Sequence, residues 1–443
     1  MNAERLLKQF EQFDPHHVET VFGREFVLDP PDPAVTLAPV KRVAIITEAF
    51  LPKVDGVSKS AMLTLQYLQQ TGREVLVFAP DISPEQIFGT RVIPLPSVGF
   101  PKVPETRMAL PNPIIARELA DFQPDLIHLF SPALMSYSGI VAGRRMGVPI
   151  VANYQTDLPG YAQLYGWDFA VGATWRWMRY VHNRCHLTLV PSKHSERALR
   201  EQHFKRLRPW GRGVAHNRFH PAKRSDAWRE RLLHGRDPNA LLCVYVGRVA
   251  EEKSIELLLD VARLPGVALT IIGDGASRED LEKTFAGTGT HFTGYLLGDD
   301  LPAAFASADV FVFPGPNETF GQVVQEAMAS GLPSVVTERG GVADLVIEGE
   351  TGFRAAHHPA SFAEKVKLLR DDPALRARMG TYARELAEAR PWEAILAMLE
   401  TYYAEAVELN NRRDRIFSSA DEANPLAEFP RNIVNYLRQF GGN

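Results

Sequence analysis

Three segments of the sequence combine charged side chains with glycines in a pattern that suits an anionic ligand. The richest one spans residues 314–333 and carries Glu318, Thr319, Phe320, Gly321 and Glu326. The two carboxylates are eight residues apart, which is about 2.2 helical turns, so both can lie on one face of a helix starting near residues 319–321. The free N–H groups at that start suit anionic or hydroxyl-rich ligands, and a glycine lets a ligand approach the backbone. The alternative is that Glu318 caps the helix and Glu326 lies in solvent.

The other two segments each follow an apolar run. In the first, Gly247 is followed by Arg248 and, five residues later, by Lys253. A guanidinium and an ammonium so spaced on one loop can hold a diphosphate, whereas the alternative is an ordinary surface pair. In the second, Gly56 opens a helix and can bring its backbone close to a phosphate. Its alternative is a plain turn between strand and helix.

The elements that position these segments are short apolar runs separated by helical patterns. The first series of runs comprises residues 43–46, 75–78, 126–129, 149–152 and 187–190, and the second comprises 241–246, 269–272, 310–313 and 334–336. Continuous apolar runs are typical of parallel strands buried on both faces. Two successive series therefore predict an α/β protein with two doubly wound domains that meet between residues 212 and 238. The three segments follow predicted strands, at the carboxyl ends where such sheets bind ligands.

Composition excludes several classes of protein. The 443 residues include 49 Lys+Arg and 53 Asp+Glu, a net charge of −4 that does not fit a general nucleic-acid binder. With 45% hydrophobic and 23% charged residues, wholesale disorder is excluded. Two distant cysteines, Cys185 and Cys243, exclude a disulfide framework and favour a reducing cytoplasm. No run approaches the ~18 apolar residues of a membrane span and no signal peptide is visible, so we expect a soluble or peripheral protein.

Motifs in both halves resemble those of the retaining glycosyltransferases of family 4, whose GT-B fold has two Rossmann-like domains facing a central cleft. The C-terminal half carries Gly247-Arg248-x4-Lys253, Gly273-Asp274-Gly275, and Glu318-x7-Glu326 followed by Ala-Met-Ala-Ser-Gly-Leu-Pro. In the N-terminal half, residues 48–52, 55–58, 128–132 and 154–157 are similar to the actinobacterial GDP-mannose-dependent α-mannosyltransferases that build glycolipids and lipomannan. The pattern Trp210-x-Arg212-Gly213-Val214 is shared with sulfoquinovosyl-diacylglycerol synthases. The resemblance covers about residues 42–400.

The resemblance implies a donor site for a nucleotide-diphosphate sugar. Arg248 and Lys253 would hold the diphosphate and stabilise charge on the leaving group. Glu318 would accept hydrogen bonds from the sugar hydroxyls, and Glu326 would accept them from the ribose. The catalytic residues that the resemblance implies are therefore Arg248, Lys253 and Glu318. The remaining donor-site residues are Gly56 and Gly247, Thr319, the backbone N–H groups of Phe320 and Gly321, and Tyr295 near the base.

The implied reaction moves a hexose, with mannose favoured, from a GDP- or UDP-sugar to a lipid-linked or glycolipid acceptor. The resemblance places no protein carboxylate beside the anomeric carbon, where a retaining glycosidase has its nucleophile. We therefore expect front-face substitution, with the donor phosphate as base for the acceptor hydroxyl. Since no Asp-x-Asp motif stands in a suitable position, we expect a metal-independent enzyme without a cofactor.

On the acceptor side the resemblance implies a site that contains His128, Gln155 and Asp157. Many family members have His-Thr where this chain has Gln155-Thr156, and an amide orients a hydroxyl but does not act as an acid or base. Two alternatives remain open: His128 as a satisfied histidine beside the core, and Asp157 in a turn or cap. Ala215 replaces the usual Asp, so altered interdomain contacts are expected.

We expect four parts along the chain. These are an N-terminal appendage (1–40), an acceptor-side Rossmann-like domain (41–215), a donor domain (216–385), and C-terminal helices that pack back on the N-terminal domain, followed by a tail (386–443). Residues 175–180, Trp-Arg-Trp-Met-Arg-Tyr, suit a helix on an anionic membrane, or a core helix whose arginines reach solvent. The expected location is the cytoplasm, at the inner face of the membrane, and the oligomeric state is open.

Three other functions compete with this one. A glycosyltransferase acting on a soluble saccharide or small molecule would share the donor site. A non-catalytic nucleotide-sugar-binding protein would share it too, although retention of Arg248, Lys253 and both glutamates argues against decay. A nicotinamide dehydrogenase is disfavoured because residues 273–278 lack the third glycine of the dinucleotide fingerprint.

Overall fold

A computed structural model of the chain describes residues 28–51, 55–100, 103–164 and 166–412. The apolar helix face expected at Leu6, Leu7, Phe10 and Phe13 lies outside the described residues, as does the tail from residue 413. The described residues form two compact units. The N-terminal unit comprises residues 28–191, 196–210 and 396–412, and the C-terminal unit comprises residues 192–195 and 211–395. Apart from the short segment 192–195, the chain passes between the units after Trp210 and after Ile395.

The N-terminal unit is built on an eight-stranded sheet in the order β10-β9-β8-β7-β1-β2-β4-β3. All neighbours are parallel except β3 and β4, and β5 and β6 form a separate antiparallel pair. The strands are β1 (Arg42–Thr47), β2 (Glu74–Pro80), β3 (Gln86–Ile87), β4 (Thr90–Leu95), β5 (Ser97–Phe100), β6 (Val103–Ala109), β7 (Leu126–Phe130), β8 (Ile150–Asn153), β9 (Leu187–Val190) and β10 (Leu207–Pro209).

Helices connect these strands. They are α1 (Gly56–Gln70), α2 (Pro113–Phe122), α3 (Ser136–Met146), α4 (Leu158–Leu164), α5 (Asp168–Asn183) and α6 (Lys193–Glu201). Local chemistry sets their starts. Asp55 and Ser58 form a reciprocal capping box at α1, so the helix begins two residues before the predicted Ser58. Asn112 caps α2, where proline fills the first helical position.

The C-terminal unit has a fully parallel six-stranded sheet in the order β13-β12-β11-β14-β15-β16. Its strands are β11 (Leu241–Val246), β12 (Val267–Ile272), β13 (His291–Gly294), β14 (Val310–Phe313), β15 (Ser334–Thr337) and β16 (Gly352–Ala355). Its helices are α7 (Asp226–Leu233), α8 (Leu259–Ala262), α9 (Arg278–Thr284), α10 (Asp300–Ser307), α11 (Gln322–Ala329), α12 (Pro359–Asp371), α13 (Pro373–Glu388) and the start of α14 (Trp392–Asn411). Every residue of β11, β12 and β14 is buried, as the apolar runs predict.

Both sheets reverse their strand order near the middle. In the N-terminal unit the chain builds outward from β1 on one side, then returns to place β7 on the other side. In the C-terminal unit the reversal falls between β11 and β14. Loops that leave neighbouring parallel strands in opposite directions open a crevice at their carboxyl ends, and open α/β sheets bind ligands there.

Helix α14 is anchored within the N-terminal unit by a buried ion pair. Both oxygens of Glu400 accept hydrogen bonds from the Arg73 guanidinium, at 2.9 and 2.6 Å. Glu400 also accepts the backbone N–H of Ala38 at 2.8 Å, and Arg73 donates to the Val40 carbonyl. Both charged side chains are only 3% exposed, so each charge depends on the other.

In the part of the chain that the structure describes, every helix is too short or too polar to cross a bilayer.

Removing the buried carboxylate should destabilise the N-terminal unit strongly. Glu400→Ala leaves Arg73 buried without its counter-charge, and loss of one partner of a buried pair costs about 3–5 kcal/mol. The control is Glu405→Ala on the same helix, because the Glu405–Arg208 pair is much more exposed and such pairs contribute about 1 kcal/mol or less. Urea unfolding measures both, and equal losses for the two variants would refute the role assigned to Glu400.

Candidate active site

The loops that follow four neighbouring strands of the C-terminal unit carry most of the predicted donor-site residues. Residues 247–253 follow β11, 273–275 follow β12, 295–298 follow β13 and 314–321 follow β14. The first and last of these loops flank the reversal of strand order. The parallel sheet therefore brings these two loops to the same edge, although Lys253 and Pro314 are 61 positions apart in the sequence.

A tightly packed turn holds the backbone of Gly247 and Arg248. Gly247 has a φ of 154°, and a Cβ there would lie 2.8 Å from the Tyr245 hydroxyl. A Cβ on Gly273 would collide with the Gly247 carbonyl. Tyr245 is fully buried, and its hydroxyl donates a hydrogen bond to the Arg248 carbonyl at 2.9 Å. Both glycines are therefore required by close approach of neighbouring groups.

Each of the two predicted diphosphate-binding cations forms an ion pair with a carboxylate. Lys253 pairs with Glu318 from the loop after β14, and Arg248 pairs with Glu252. The side chains of Lys253 and Glu318 are 12% and 25% exposed, while Glu252 is almost fully buried. The structure thus joins all three residues predicted as catalytic into one charged cluster with Glu252. Such a cluster can bind an anion through its cations and sugar hydroxyls through its carboxylates.

Helix α11 begins at Gln322, directly after the predicted range of residues 319–321. Its N-cap is Gly321, with a φ of 95° and no capping bond from a side chain. Glu318 is therefore not the helix cap, because it pairs with Lys253 instead. Glu326, two turns further on, is 6% exposed and so is not a solvated residue. Thr319 and the buried Phe320 complete the turn into the helix, whose first N–H groups have no acceptor within the helix.

Tyr295 lies on the loop after β13 and is 44% exposed. Its hydroxyl donates a hydrogen bond to the Asp274 carbonyl at 3.1 Å, which ties its loop to the one after β12. The Asp274 carboxylate in turn accepts from the Gly275 N–H and from Arg278. A partly exposed aromatic ring at this edge suits a nucleobase.

In the N-terminal unit, Gly56 occupies the first position of α1. The Asp55 carboxylate caps this helix by accepting the N–H groups of Val57 and Ser58, both at 2.9 Å. A diphosphate that contacts the backbone of Gly56, as predicted, would therefore lie beside the Asp55 carboxylate that caps the helix.

His128 lies in the middle of β7 and is completely buried. Its ring nitrogens contact the Tyr403 hydroxyl at 2.8 Å and the Asn153 side-chain oxygen at 3.0 Å. Burial lowers the pKa of His128 to about 4, although the bond to Asn153 opposes this, so the ring is neutral near pH 7. This is the geometry of the satisfied histidine beside the core, the alternative that the sequence left open.

Gln155 and Asp157 lie on the loop between β8 and α4. Gln155 is 6% exposed. Asp157 accepts hydrogen bonds from the Tyr154 hydroxyl at 3.2 Å and from the Gly160 N–H at 3.1 Å. These bonds place Asp157 as the cap of α4, which is the alternative given for it above.

The sequence pattern assigned no role to three residues in these regions, Glu48, Tyr245 and Glu252. Glu48 follows β1, and one carboxylate oxygen accepts the N–H groups of Ala133 and Ser136, each at 3.0 Å. Its other oxygen is buried without a hydrogen-bond partner among the described residues. Burial raises the pKa of Glu48 to about 7, against the lowering effect of the bonds from Ser136 and Ala133. The signal available in the sequence was its place in the motif at residues 48–52, directly after the first predicted strand.

The aromatic and basic stretch at residues 175–180 lies in α5. Trp177 and Met178 pack into the core, whereas Arg176 is exposed. Phe169, in the first turn of the same helix, is 77% exposed. The helix therefore combines a buried face with an exposed aromatic and basic surface.

Two family models match the chain. That of the glycosyl transferases group 1 matches residues 226–386, and that of glycosyltransferase family 4 matches residues 54–218. The chain is 44% identical to a GDP-mannose-dependent α-mannosyltransferase of Mycobacterium tuberculosis, over 70% of this chain and 83% of that protein. It is 35% identical to the protein of that name from Corynebacterium glutamicum, over 84% and 90%. The sulfoquinovosyl transferase SQD2 of Arabidopsis thaliana is 38% identical, over 81% and 72%.

The fold has matches among solved structures. A sucrose-phosphate synthase from Thermosynechococcus elongatus superposes with a TM-score of 0.68 at 21% identity, covering 82% of this chain and 98% of that one. With its two Rossmann-like units and the charged cluster at a strand reversal, the protein is a glycosyltransferase of the GT-B fold. The chain belongs to glycosyltransferase family 4, and the predicted family is confirmed.

The raised pKa of Glu48 gives a pH-dependent stability that can be measured. The folded protein keeps the Glu48 proton up to about pH 7, whereas the ordinary glutamate pKa of 4.5 applies when the chain is unfolded. The folded state binds more protons between these values, so its stability falls as pH rises through them. Glu48→Gln removes this loss, and its stability relative to the wild type should rise by about 1–3 kcal/mol from pH 5 to pH 8.

Denaturation of the two proteins at both pH values checks this. The matched control is Glu74→Gln, because Glu74 is exposed in the same unit and its replacement should show no such pH dependence. A stability difference for Glu48→Gln that stays the same at pH 5 and pH 8 would contradict the proposed protonation.

Proposed function

We propose that this glycosyltransferase moves a mannosyl group from GDP-mannose to a glycolipid acceptor, with retention of the anomeric configuration. The observation that carries the proposal is the Lys253–Glu318 pair at the strand reversal of the C-terminal sheet. It joins a phosphate-binding cation and a hydroxyl-binding carboxylate, as binding of a nucleotide sugar requires. The mannosyltransferases at 44% and 35% identity support mannose, and GDP as its carrier.

The donor would lie along the carboxyl edge of the C-terminal sheet. Arg248 and Lys253 bind the diphosphate and stabilise the charge that develops on it as the glycosidic bond breaks. Glu318 accepts hydrogen bonds from the mannose hydroxyls, with the N–H groups of Phe320 and Gly321 beside it. Glu326 accepts from the ribose, and the exposed ring of Tyr295 contacts the base.

Binding of the donor would redistribute charge within the cluster. Lys253 now pairs with Glu318 and Arg248 with Glu252. When the diphosphate binds, it offers both cations a stronger, doubly charged partner. Glu318 then exchanges its bond with Lys253 for bonds with sugar hydroxyls, so that the same side chains serve both parts of the donor.

The chemistry is a front-face substitution without a protein nucleophile or a metal ion. The two cations supply the leaving-group stabilisation that a divalent metal supplies in other phosphate-releasing enzymes. The leaving phosphate takes the proton from the acceptor hydroxyl, which attacks the face that the phosphate leaves. This mechanism needs no acid or base from the protein. It is therefore compatible with an amide at Gln155 and with a His128 that is neutral and buried.

The acceptor is a glycolipid that the N-terminal unit takes from the membrane surface. Support comes from the alpha-monoglucosyldiacylglycerol synthase of Acholeplasma laidlawii, 23% identical over 84% of this chain, whose name indicates a glycolipid product. The exposed surface of α5, with Phe169 and Arg176, has the aromatic and cationic character of interfacial helices. The protein would therefore act in the cytoplasm, at the inner face of the membrane.

Replacing Glu318 with Ala should abolish transfer while preserving nucleotide binding. The side chain bonds sugar hydroxyls, so its loss should lower kcat by at least ~100-fold. The diphosphate keeps both cations, so GDP should still raise the melting temperature as a native-state ligand does. The assay measures mannose transfer from GDP-mannose beside a thermal shift with GDP.

The control for this experiment is Glu350→Ala, an exposed glutamate of the same unit that should leave both readouts unchanged. Near-normal transfer by Glu318→Ala would refute the donor-site assignment. A thermal shift of the wild type with UDP and none with GDP would refute GDP-mannose as the donor.

Membrane contact is tested by flotation of the protein with liposomes. The wild type should float with anionic vesicles at low salt and lose this binding at high salt, because cationic side chains are screened. The double variant Phe169→Ser, Arg176→Glu should reduce the bound fraction about tenfold, since each basic residue near such a surface contributes about 1 kcal/mol.

The matched variant is Arg263→Glu, which changes an exposed arginine of the C-terminal unit and should still float. Failure of the wild type to bind anionic vesicles would remove the membrane from the proposal. In that case transfer to a water-soluble acceptor becomes the favoured reaction.

A further inference from the structure

We propose that Tyr245 and Glu252 are positioning residues for Arg248, one fixing its backbone and the other its guanidinium. The inference rests on the proposed function, because it assumes that Arg248 binds the donor diphosphate. Neither residue belongs to the donor site expected from the sequence. Both lie within a few residues of Arg248, and both bond to it directly.

Tyr245 fixes the main chain of the turn that carries Arg248. Its hydroxyl donates to the Arg248 carbonyl at 2.9 Å, and its ring stacks on Phe313 with centroids 5.6 Å apart. The ring belongs to β11 and Phe313 to β14, the two strands between which the sheet order reverses. The hydrogen bond therefore ties the position of Arg248 to the buried centre of the sheet.

Glu252 fixes the side chain of the same arginine. Its carboxylate accepts a hydrogen bond from the Arg248 Nη2 atom, and the Glu252 side chain is only 3% exposed. A buried carboxylate needs such a partner, so the pairing is strongly held. Arg248 itself is 31% exposed. The guanidinium is thus held from the protein side while part of it faces solvent, where a diphosphate can reach it.

The hydroxyl of Tyr245 is a protonated hydrogen-bond donor near neutral pH. Burial raises the pKa of Tyr245 well above its ordinary value, and the nearby charges of Glu318 and Glu252 raise it further. These same neighbours show that the hydroxyl lies close to both ion pairs of the cluster. Phenylalanine has nearly the same shape as tyrosine but lacks the hydroxyl that donates this bond. Tyr245→Phe therefore separates the contribution of the hydroxyl from that of packing.

The two residues are expected to act on the rate more than on binding. An arginine stabilises charge on a leaving phosphate only when its N–H groups are held in the right place. Tyr245→Phe keeps the ring and loses one bond, so kcat should fall about tenfold with KM for GDP-mannose changed less than about threefold. A purely structural role would instead lower the melting temperature and leave kcat of the folded enzyme unchanged.

Glu252→Gln separates orientation from charge. The amide is of the same size but carries no negative charge, so the potential at the diphosphate becomes more positive. GDP should bind at least as tightly as to the wild type, whereas kcat should again fall about tenfold because the guanidinium loses its charged anchor. General unfolding would instead lower the melting temperature and the number of GDP-binding sites per chain, so these two readouts separate it from a loss of orientation.

The experiment compares steady-state transfer, GDP affinity and melting temperature in five proteins. They are the wild type, Tyr245→Phe, Glu252→Gln, the control Glu251→Gln and the reference Arg248→Ala. Glu251 is the exposed neighbour of Glu252, and its replacement should change none of the three readouts. The inference is supported if Tyr245→Phe and Glu252→Gln lose kcat and keep GDP affinity.

Three negative results have different meanings. If Arg248→Ala transfers mannose normally, the proposed function of this cluster is wrong, and with it the premise of the inference. If Arg248→Ala is inactive while Tyr245→Phe and Glu252→Gln keep wild-type kcat, only the positioning role is refuted. The positioning role is refuted as well if both variants lose kcat and GDP affinity in equal measure.

Discussion

The ion pair between Lys253 and Glu318 is the contact on which the rest of the site depends. It joins the loop after β11 to the loop after β14, the two strands between which the C-terminal sheet reverses its order. Parallel strands of this kind are normally covered on both faces, and every residue of β11 and β14 is buried. The apolar sequence of these strands is therefore a precondition for the charged cluster above them.

Burial gives this cluster its chemical character. The Glu252 carboxylate and the Tyr245 ring lie inside the protein, while Arg248 and Lys253 stay within reach of solvent. Arg248, which these two buried groups hold, keeps its position without a ligand and needs little rearrangement when an anion binds. The two glycines at 247 and 273 allow the close approach of loops that this arrangement requires.

Much of the fold was predictable from the sequence because buried parallel strands are continuous apolar runs. The runs at residues 241–246 and 310–313 match β11 and β14 residue for residue. Sequence spacing was also enough to place Arg248, Lys253 and Glu318 at carboxyl ends of strands. Sequence spacing was not enough to show which carboxylate pairs with which cation. A short 3₁₀ turn brings Glu252 to Arg248, and such a turn leaves no periodic pattern in the sequence.

The acceptor side was harder to predict for a physical reason. A histidine on an apolar strand has the same sequence signature whether it faces a substrate or, like His128, has both ring nitrogens bonded inside the core. Its partner Tyr403 comes from α14, 275 residues further along the chain. Glu48 shows the opposite case: burial raises its pKa, and its hydrogen-bond partner Ser136 lies at the N-terminus of α3, which no local pattern connects to β1.

The cluster at the strand reversal should recognise the diphosphate of the donor. Calorimetric titration of the wild type and of Lys253→Ala with GDP and with guanosine measures this recognition. Lys253→Ala should weaken GDP binding by about tenfold or more, as expected for the loss of one charge-assisted bond, while guanosine binding is unchanged. Equal affinity of both proteins for GDP, or an equal loss for GDP and guanosine, would contradict it.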